Sequence, residues 1–278
     1  MPDMPSGSIF WVDGERADSL SLPDRGLEFG DGLFETILVV HASPVLLHLH
    51  QDRLAAGFSA LGFSGSPPKL VDLLTPVKAH LSPAVRYAVR VTLTRAPSDR
   101  GYAPGGSEIH RSIVRLTEVD PPAASRASIG LSSIALATQP QLAGIKHLNR
   151  LEQVMAASER VKLGVDEVLT CNQDGAPVAV SSGNLFIRKA QHLMTPTLAE
   201  CGIAGTRRRL ILEQLANDVG CSVDEQDFSL AELRTADEVF YCNTLIGIRG
   251  VERFEDQEWV SSPVSDLLAQ RYEEVLAA

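Results

Sequence analysis

Residues 85–95, VRYAVRVTLTR, alternate cleanly, with Val85, Tyr87, Val89, Val91 and Leu93 on one face and Arg86, Ala88, Arg90, Thr92 and Thr94 on the other. A period of two with one apolar face predicts a half-buried strand. FWVDG (10–14), FETILVVH (34–41), PVLLHL (44–49) and SIVRLTEV (112–119) read as further strands. HQDRLAAGFSALGF (50–63) instead spaces Leu54, Phe58 and Leu61 as a helix does. KLVDLLTPVKAHL (69–81) is a second helix, which Pro76 kinks or splits. IGLSSIALAT (129–138) is strand-like and is followed by the helical run LNRLEQVMAASERVKL (148–163). After it come DEVLTC, PVAVSSGNLFIRK and HLMTP as strands, a helix over about 206–218, CSVDEQ, DEVFYCN, and a terminal helix near 263–277. Strands are not followed regularly by helices, so a simple doubly wound sheet is disfavoured; two α+β domains fit better.

The run VDPPAASRAS (119–128) is rich in Pro, Ala and Ser and marks a domain boundary. The expected division is a small N-terminal α+β domain at 1–120, a linker at 121–128, and a larger C-terminal α+β domain at 129–278. With 278 residues and 44% hydrophobic content, the chain can bury a large core. A net charge of −10 argues against nucleic acid or an anionic membrane as partner. No run of 18 apolar residues is present and MPDMPSGSIF lacks a signal-peptide pattern, so neither a membrane span nor secretion is expected. Cys171, Cys201, Cys221 and Cys242 lack CxxC spacing and read as reduced thiols, most of them buried, in a cytoplasmic protein. No His/Cys/Asp cluster has ligand spacing, so no metal is expected. His48 and His50 would share a face in a strand, although a turn leading into a helix is the favoured reading.

Candidate chemistry narrows the picture. Lys146, in GIKHLNRLEQ, stands between a strand-like and a helical segment, where an ammonium can be desolvated as a Schiff-base lysine requires. CGIAGTRRRLILEQL puts two glycines and a threonine before a periodic helix, an arrangement whose amides suit phosphate. Asp24 and Arg25, in an SLPDRG turn, should pair or cap locally.

Seven stretches together resemble one family: DRGLEFGDGLFETI (24–37), HQDRL (50–54), TRAPSDRGY (94–102), GIKHLNRLEQ (144–153), SGNLF (182–186), CGIAGTRR (201–208) and YCNTLIGIR (241–249). In that order and spacing they are similar to fold-type-IV pyridoxal-phosphate enzymes, the group of D-amino-acid and branched-chain aminotransferases and aminodeoxychorismate lyases. The resemblance implies a two-domain fold of the D-amino-acid aminotransferase kind, with a cofactor cleft between the domains and the pyridoxal 5'-phosphate lysine in the C-terminal one. It makes Lys146 the catalytic, cofactor-linked residue. It assigns Arg53, Thr206, Arg207, Asn243, Thr244 and Ser182 to cofactor binding, and Arg100, Tyr102 and Glu35 to substrate, with Glu35 equally able to serve as a partner for Arg25. A homodimer is implied as well.

One position departs from the pattern. The family carries an acid five residues before the Asn-Leu-Phe run, opposite the cofactor's ring nitrogen, and this chain has Ala179 there. Ser181 or Ser182 would then have to serve the nitrogen, or the chemistry needs less delocalisation, or turnover is poor. KHLNRLEQ, the RGY after TR and the CN-T-L run most resemble the lyase subfamily, which converts a small dicarboxylate, 4-amino-4-deoxychorismate, into 4-aminobenzoate and pyruvate for folate biosynthesis. The alternatives are a D-amino-acid or branched-chain aminotransferase, or a weakly active cofactor-binding relative.

Overall fold

The computed structural model describes residues 7–95, 101–104, 110–123 and 126–277. Two compact units divide the chain: Met1–Pro121 with Ile145–Asn149, and Pro122–Gly144 with Arg150–Ala278.

The first unit is built on one antiparallel sheet. Its strands are β1 (Ile9–Val12), β2 (Glu15–Arg16), β3 (Gly32–Val40), β4 (Ser43–Pro44), β5 (Tyr87–Arg95) and β6 (His110–Glu118), in the order β2-β1-β6-β5-β3-β4 among the described residues. Its helices are α1 (Arg25–Phe29), α2 (Leu47–Ala60) and α3 (Leu70–Leu73). The alternation of β5 holds: Tyr87, Val89, Val91 and Leu93 are buried, with Leu54 and Phe58 of α2 in the same core as Val89 and Leu93. Each such side chain removed from water contributes roughly 1.5–3 kcal/mol. Asp24 caps α1 by accepting from the Leu27 amide at 3.1 Å. Arg25 pairs with Asp31 at 2.8 Å rather than with Asp24, which receives Arg111 and the Thr94 hydroxyl instead.

One sequence expectation is corrected here. PVLLHL is not a strand: β4 ends at Pro44, Leu46 takes φ 53°, and α2 begins at Leu47. A short apolar run fits strand and helix alike, and the left-handed Leu46 sets the turn. The helix at 69–81 is split, one of the two outcomes expected of Pro76, with α3 stopping at Leu73 and a 3-10 helix running from Thr75 to His80. Pro76 has no amide to donate, and its ring excludes the carbonyl four residues back.

The segment Ile145–Asn149 belongs to this unit, not to the C-terminal one where the sequence placed the lysine. Its backbone lies along the free edge of β3: Phe34 donates to the Lys146 carbonyl at 3.0 Å, and Leu148 to the Gly32 carbonyl at 3.0 Å. Leu33 and His147 form an antiparallel bridge. Pairing across more than 100 residues, not proximity in sequence, decides where the lysine sits.

The second unit holds β7 (Ala127–Leu136), β8 (Glu167–Asn172), β9 (Pro177–Val180), β10 (Gly183–Lys189), β11 (His192–Thr195), β12 (Ser222–Glu225), β13 (Glu238–Asn243), β14 (Gly247–Phe254) and β15 (Gln257–Glu258). Its path runs β12-β11-β10-β13-β14-β7-β8-β9, and β9 also pairs with β10, closing a ring of strands. Closure leaves the ring without unpaired edges, as in a barrel. β7 begins at Ala127, so the last two residues of the expected linker are already paired into the sheet. Around it lie α4 (Leu151–Leu163), α5 (Thr206–Leu210), which continues through a π segment (Ile211–Leu215) into α6 (Ala216–Asp218), then α7 (Leu230–Arg234) and α8 (Pro263–Ala277). Among the described residues, no helix is long and apolar enough to cross a membrane.

Candidate active site

β3 carries two different chemistries because a strand alternates its faces. Glu35, on the face shared with Leu33 and Ile37, is 1% exposed. Its carboxylate accepts Arg53 Nε at 2.8 Å and Nη2 at 2.5 Å, and lies 2.6 Å from His50 Nδ1. Burial pushes this carboxyl up, but the charge and hydrogen bonds of Arg53, then those of His50, outweigh it and leave the pKa at about 2. Glu35, which the resemblance assigned to substrate, has both oxygens engaged inside the core by Arg53 and His50. Its work is to orient Arg53, the residue that the sequence assigned to phosphate.

Phe34 points the other way. The Lys146 amine lies 4.3 Å from the centre of its ring, and the Arg90 guanidinium lies 3.8 Å from the same centre. Arg90 faces Arg115 across the β5–β6 ladder. Burial, then the neighbouring charge of Arg115, lowers Arg90 to about 10. No carboxylate ion-pairs with Arg90 or Arg115 among the described residues. Cations collected on one face without an acid attract an anion. The sequence placed Arg90 on the polar face of its strand but gave it no role; the signal was an arginine that no acid among the described residues of its own sheet neutralises. Tyr102, assigned to substrate, is 85% exposed. Its carbonyl accepts Arg25 Nη2 at 2.7 Å, and its ring meets Phe29 edge-on at 5.5 Å. Arg100 lies outside the described residues.

In the second unit three chain segments meet at one end of the ring of strands. Asn184, the second residue of β10, lies opposite Cys242 of β13, and its side-chain amide donates to the Ile203 carbonyl at 2.8 Å. Directly after Ile203 the chain turns into α5, with Gly205 as N-cap. A Cβ on Gly205 would stand 2.0 Å from Asn184 Oδ1, so only a bare backbone fits there. Thr206 and Arg207 are buried; Arg207 donates to the Tyr272 hydroxyl at 2.9 Å and to the Thr206 hydroxyl at 3.1 Å. The first amides of a helix have no acceptor within it. A close-packed glycine, opening amides and a buried arginine fit a phosphate group.

Asn243 has a different part from the expected ligand contact. Its side-chain oxygen accepts the amides of Leu245 and Ile246 at 3.0 and 2.8 Å, and its nitrogen donates to Ser182 at the carbonyl (3.2 Å) and the hydroxyl (3.3 Å). It fixes the turn that presents Thr244. Ser182 and Ser181 both donate their hydroxyls to Glu167, a buried acid of β8 that sequence reasoning passed over. Ala179 pairs with Asn184 and leaves its position without a charge. Burial pushes the neighbouring Cys242 thiol up to about 12 against Arg208 and Arg207, which removes it as a nucleophile.

The chain has known relatives. The pattern of the amino-transferase class IV family matches residues 32–254. An aminodeoxychorismate lyase from Vibrio harveyi is 32% identical over 87% of this chain and 90% of its own length. The crystal structure of 4-amino-4-deoxychorismate lyase from Pseudomonas aeruginosa is 36% identical and superposes with a TM-score of 0.84 over 95% of this chain and 98% of that one. An aminotransferase from Brucella abortus, bound to the cofactor PLP, shares the fold at a TM-score of 0.85 over 98% of this chain and 99% of that one, with 16% identity. Family pattern, identity and superposition agree that the chain belongs to the amino-transferase class IV family, with the fold-type-IV architecture.

Proposed function

We propose that this protein is a pyridoxal-phosphate-dependent 4-amino-4-deoxychorismate lyase, releasing pyruvate and leaving 4-aminobenzoate for folate biosynthesis. The observation that carries the reading is the Lys146 amine seated against Phe34 beside Arg90. The lyase relatives named above support it as well. When bound through its aldehyde to Lys146, the cofactor supplies a group that takes up the substrate amine and delocalises charge from the carbon bearing it. Thr206 and Arg207 would hold its phosphate, and Arg53, kept in orientation by Glu35, would supply a guanidinium for it, as the resemblance implies. Thr244 adds a hydroxyl from the turn pinned by Asn243. Arg90 takes a carboxylate of the dicarboxylate substrate, with Arg115 raising the local positive potential. Lys146 removes the proton from the amine-bearing carbon of the substrate ring. The ether bond to the neighbouring carbon breaks, its electron pair leaves with the oxygen as enolpyruvate, and the ring becomes aromatic. Aromatisation provides driving force that a transamination lacks.

The exposed apolar stripe of α4 supports a homodimer, and unpaired thiols suit a reducing, cytoplasmic setting. The test is direct. Purified protein loaded with pyridoxal phosphate should show an absorbance band near the visible edge, lost in Lys146→Ala, and should form pyruvate and 4-aminobenzoate from 4-amino-4-deoxychorismate. A band that survives Lys146→Ala, or keto acids from ordinary amino acids as the main product, would overturn the reading.

A further inference from the structure

Glu167 is a buried acid in an unusual position. It is 2% exposed at the start of β8, beside Ile129 of β7. Three neutral donors reach it: the Val168 amide at 3.2 Å, the Ser182 hydroxyl at 2.5 Å and the Ser181 hydroxyl. No lysine or arginine forms an ion pair with it among the described residues. The neighbouring Tyr241 and Arg249 have partners of their own. Tyr241 of β13 receives Arg249 Nη1 at 3.3 Å, and Arg249 pairs with Asp166 at 3.0 Å. A buried carboxylate held only by neutral donors lacks a counter-charge, and such a charge is costly unless something supplies one.

The hydroxyls decide what that something is. A serine hydroxyl has one proton and two lone pairs, whereas a carboxylate accepts only. Ser181 and Ser182, the two residues at the tip of the β9–β10 hairpin, have both committed their protons to Glu167. What they present outward is therefore lone pairs, and a ligand atom meeting them must be a donor. Ser182 already accepts from Asn243. Ser181 stands two residues beyond Ala179, where the family pattern carries its acid.

We propose that Glu167, acting through the Ser181 hydroxyl, keeps the cofactor's ring nitrogen protonated and so replaces the acid absent at position 179. The proposal rests on the cofactor reading above. It takes up the first of the alternatives that Ala179 left open, a serine serving the ring nitrogen, and adds the acid behind it. A ring N–H donates to Ser181, Ser181 donates to Glu167, and the positive ring supplies the counter-charge that the buried carboxylate lacks. Glu167 is a positioning residue here, since it reaches the ring only through serine.

The experiment loads the protein with pyridoxal phosphate labelled with nitrogen-15 in the ring and reads the nitrogen resonance. Wild-type protein should show the protonated signal at neutral pH. Glu167→Gln and Ser181→Ala should each move it to the neutral-pyridine position while the absorbance band from Lys146 persists. Adding Ala179→Glu to Glu167→Gln should restore the protonated signal. A neutral signal in wild type overturns the proposal, and so does a signal that neither variant moves. Should Glu167→Gln fail to fold, Ser181→Ala alone decides, because it leaves the buried acid in place. Protein that takes up no cofactor at all fails the functional reading itself, a result distinguished by the missing band.

Discussion

Glu35 shows how a single buried carboxylate couples the cofactor arginine to the stability of the fold. Its pKa falls from 4.5 to about 2 in the folded protein. A depressed folded value means that the stabilisation is present above pH 4.5 and is lost as pH falls toward 2. At about 1.4 kcal/mol per unit, the contribution at neutral pH is on the order of 3 kcal/mol. Glu35→Gln should lower the denaturation free energy at pH 7 by about 3–5 kcal/mol, because it leaves Arg53 facing a group that cannot neutralise it. The gap between variant and wild type should close between pH 5 and 2, and denaturant titrations across that range check it. Arg90 offers the complementary case on the opposite face of β3. It has a neighbouring cation and, among the described residues, no ion-paired acid, so the role proposed for its charge is toward a ligand more than the fold. Arg90→Gln should change stability by less than about 1 kcal/mol and raise KM for the dicarboxylate at least tenfold, with a smaller effect on kcat. Equal loss in both constants would count against a binding role.

At the scale of elements, the turn into α5 is the part most exposed to error. Asn184 cannot yield to a Cβ on Gly205 without giving up its bond to the Ile203 carbonyl. Gly205→Ala should cost about 1–3 kcal/mol through overpacking and should weaken cofactor binding beyond that loss. Equilibrium dialysis of pyridoxal phosphate beside thermal unfolding separates the two effects. That turn was legible in the sequence, because glycines before a periodic helix carry their own signature. So were β5, whose alternation holds from Tyr87 to Leu93 and ends at the buried Thr94, and α8, found where its periodicity placed it. What could not be read was set by distant partners. The stretch 44–49 has a composition compatible with either state, and only the left-handed Leu46 distinguishes them. Lys146 read as a boundary residue between a strand-like and a helical segment of the C-terminal domain, whereas its backbone bonds run to β3. Glu167 in DEVLTC resembles any acid at a strand end; its meaning comes from two serines 14 and 15 residues later.

On the scale of the whole molecule, surface apolarity and net charge oppose each other. Leu151, Val154, Met155 and Val161 are each more than half exposed, and their spacing puts them on one side of α4. Scattered single apolar residues need no explanation on a protein surface, but four on one side of one helix suit a contact. The occupant proposed for it is a second copy of the chain. Each copy carries a net charge of −10, so two copies repel at long range while the stripe attracts at short range. The range of that repulsion is about 30 Å at 0.01 M salt and about 8 Å at 0.15 M. Association through the stripe should therefore strengthen as salt rises, the reverse of an interface held by ion pairs. Sedimentation velocity from 0.01 to 0.5 M sodium chloride should show the dimer fraction growing at fixed protein concentration. Val154→Glu with Met155→Glu should give a monomer at every salt, with unfolding little changed because both side chains already face water in the single chain. A dimer that weakens with salt, or one untouched by the double substitution, would place the interface elsewhere on the molecule.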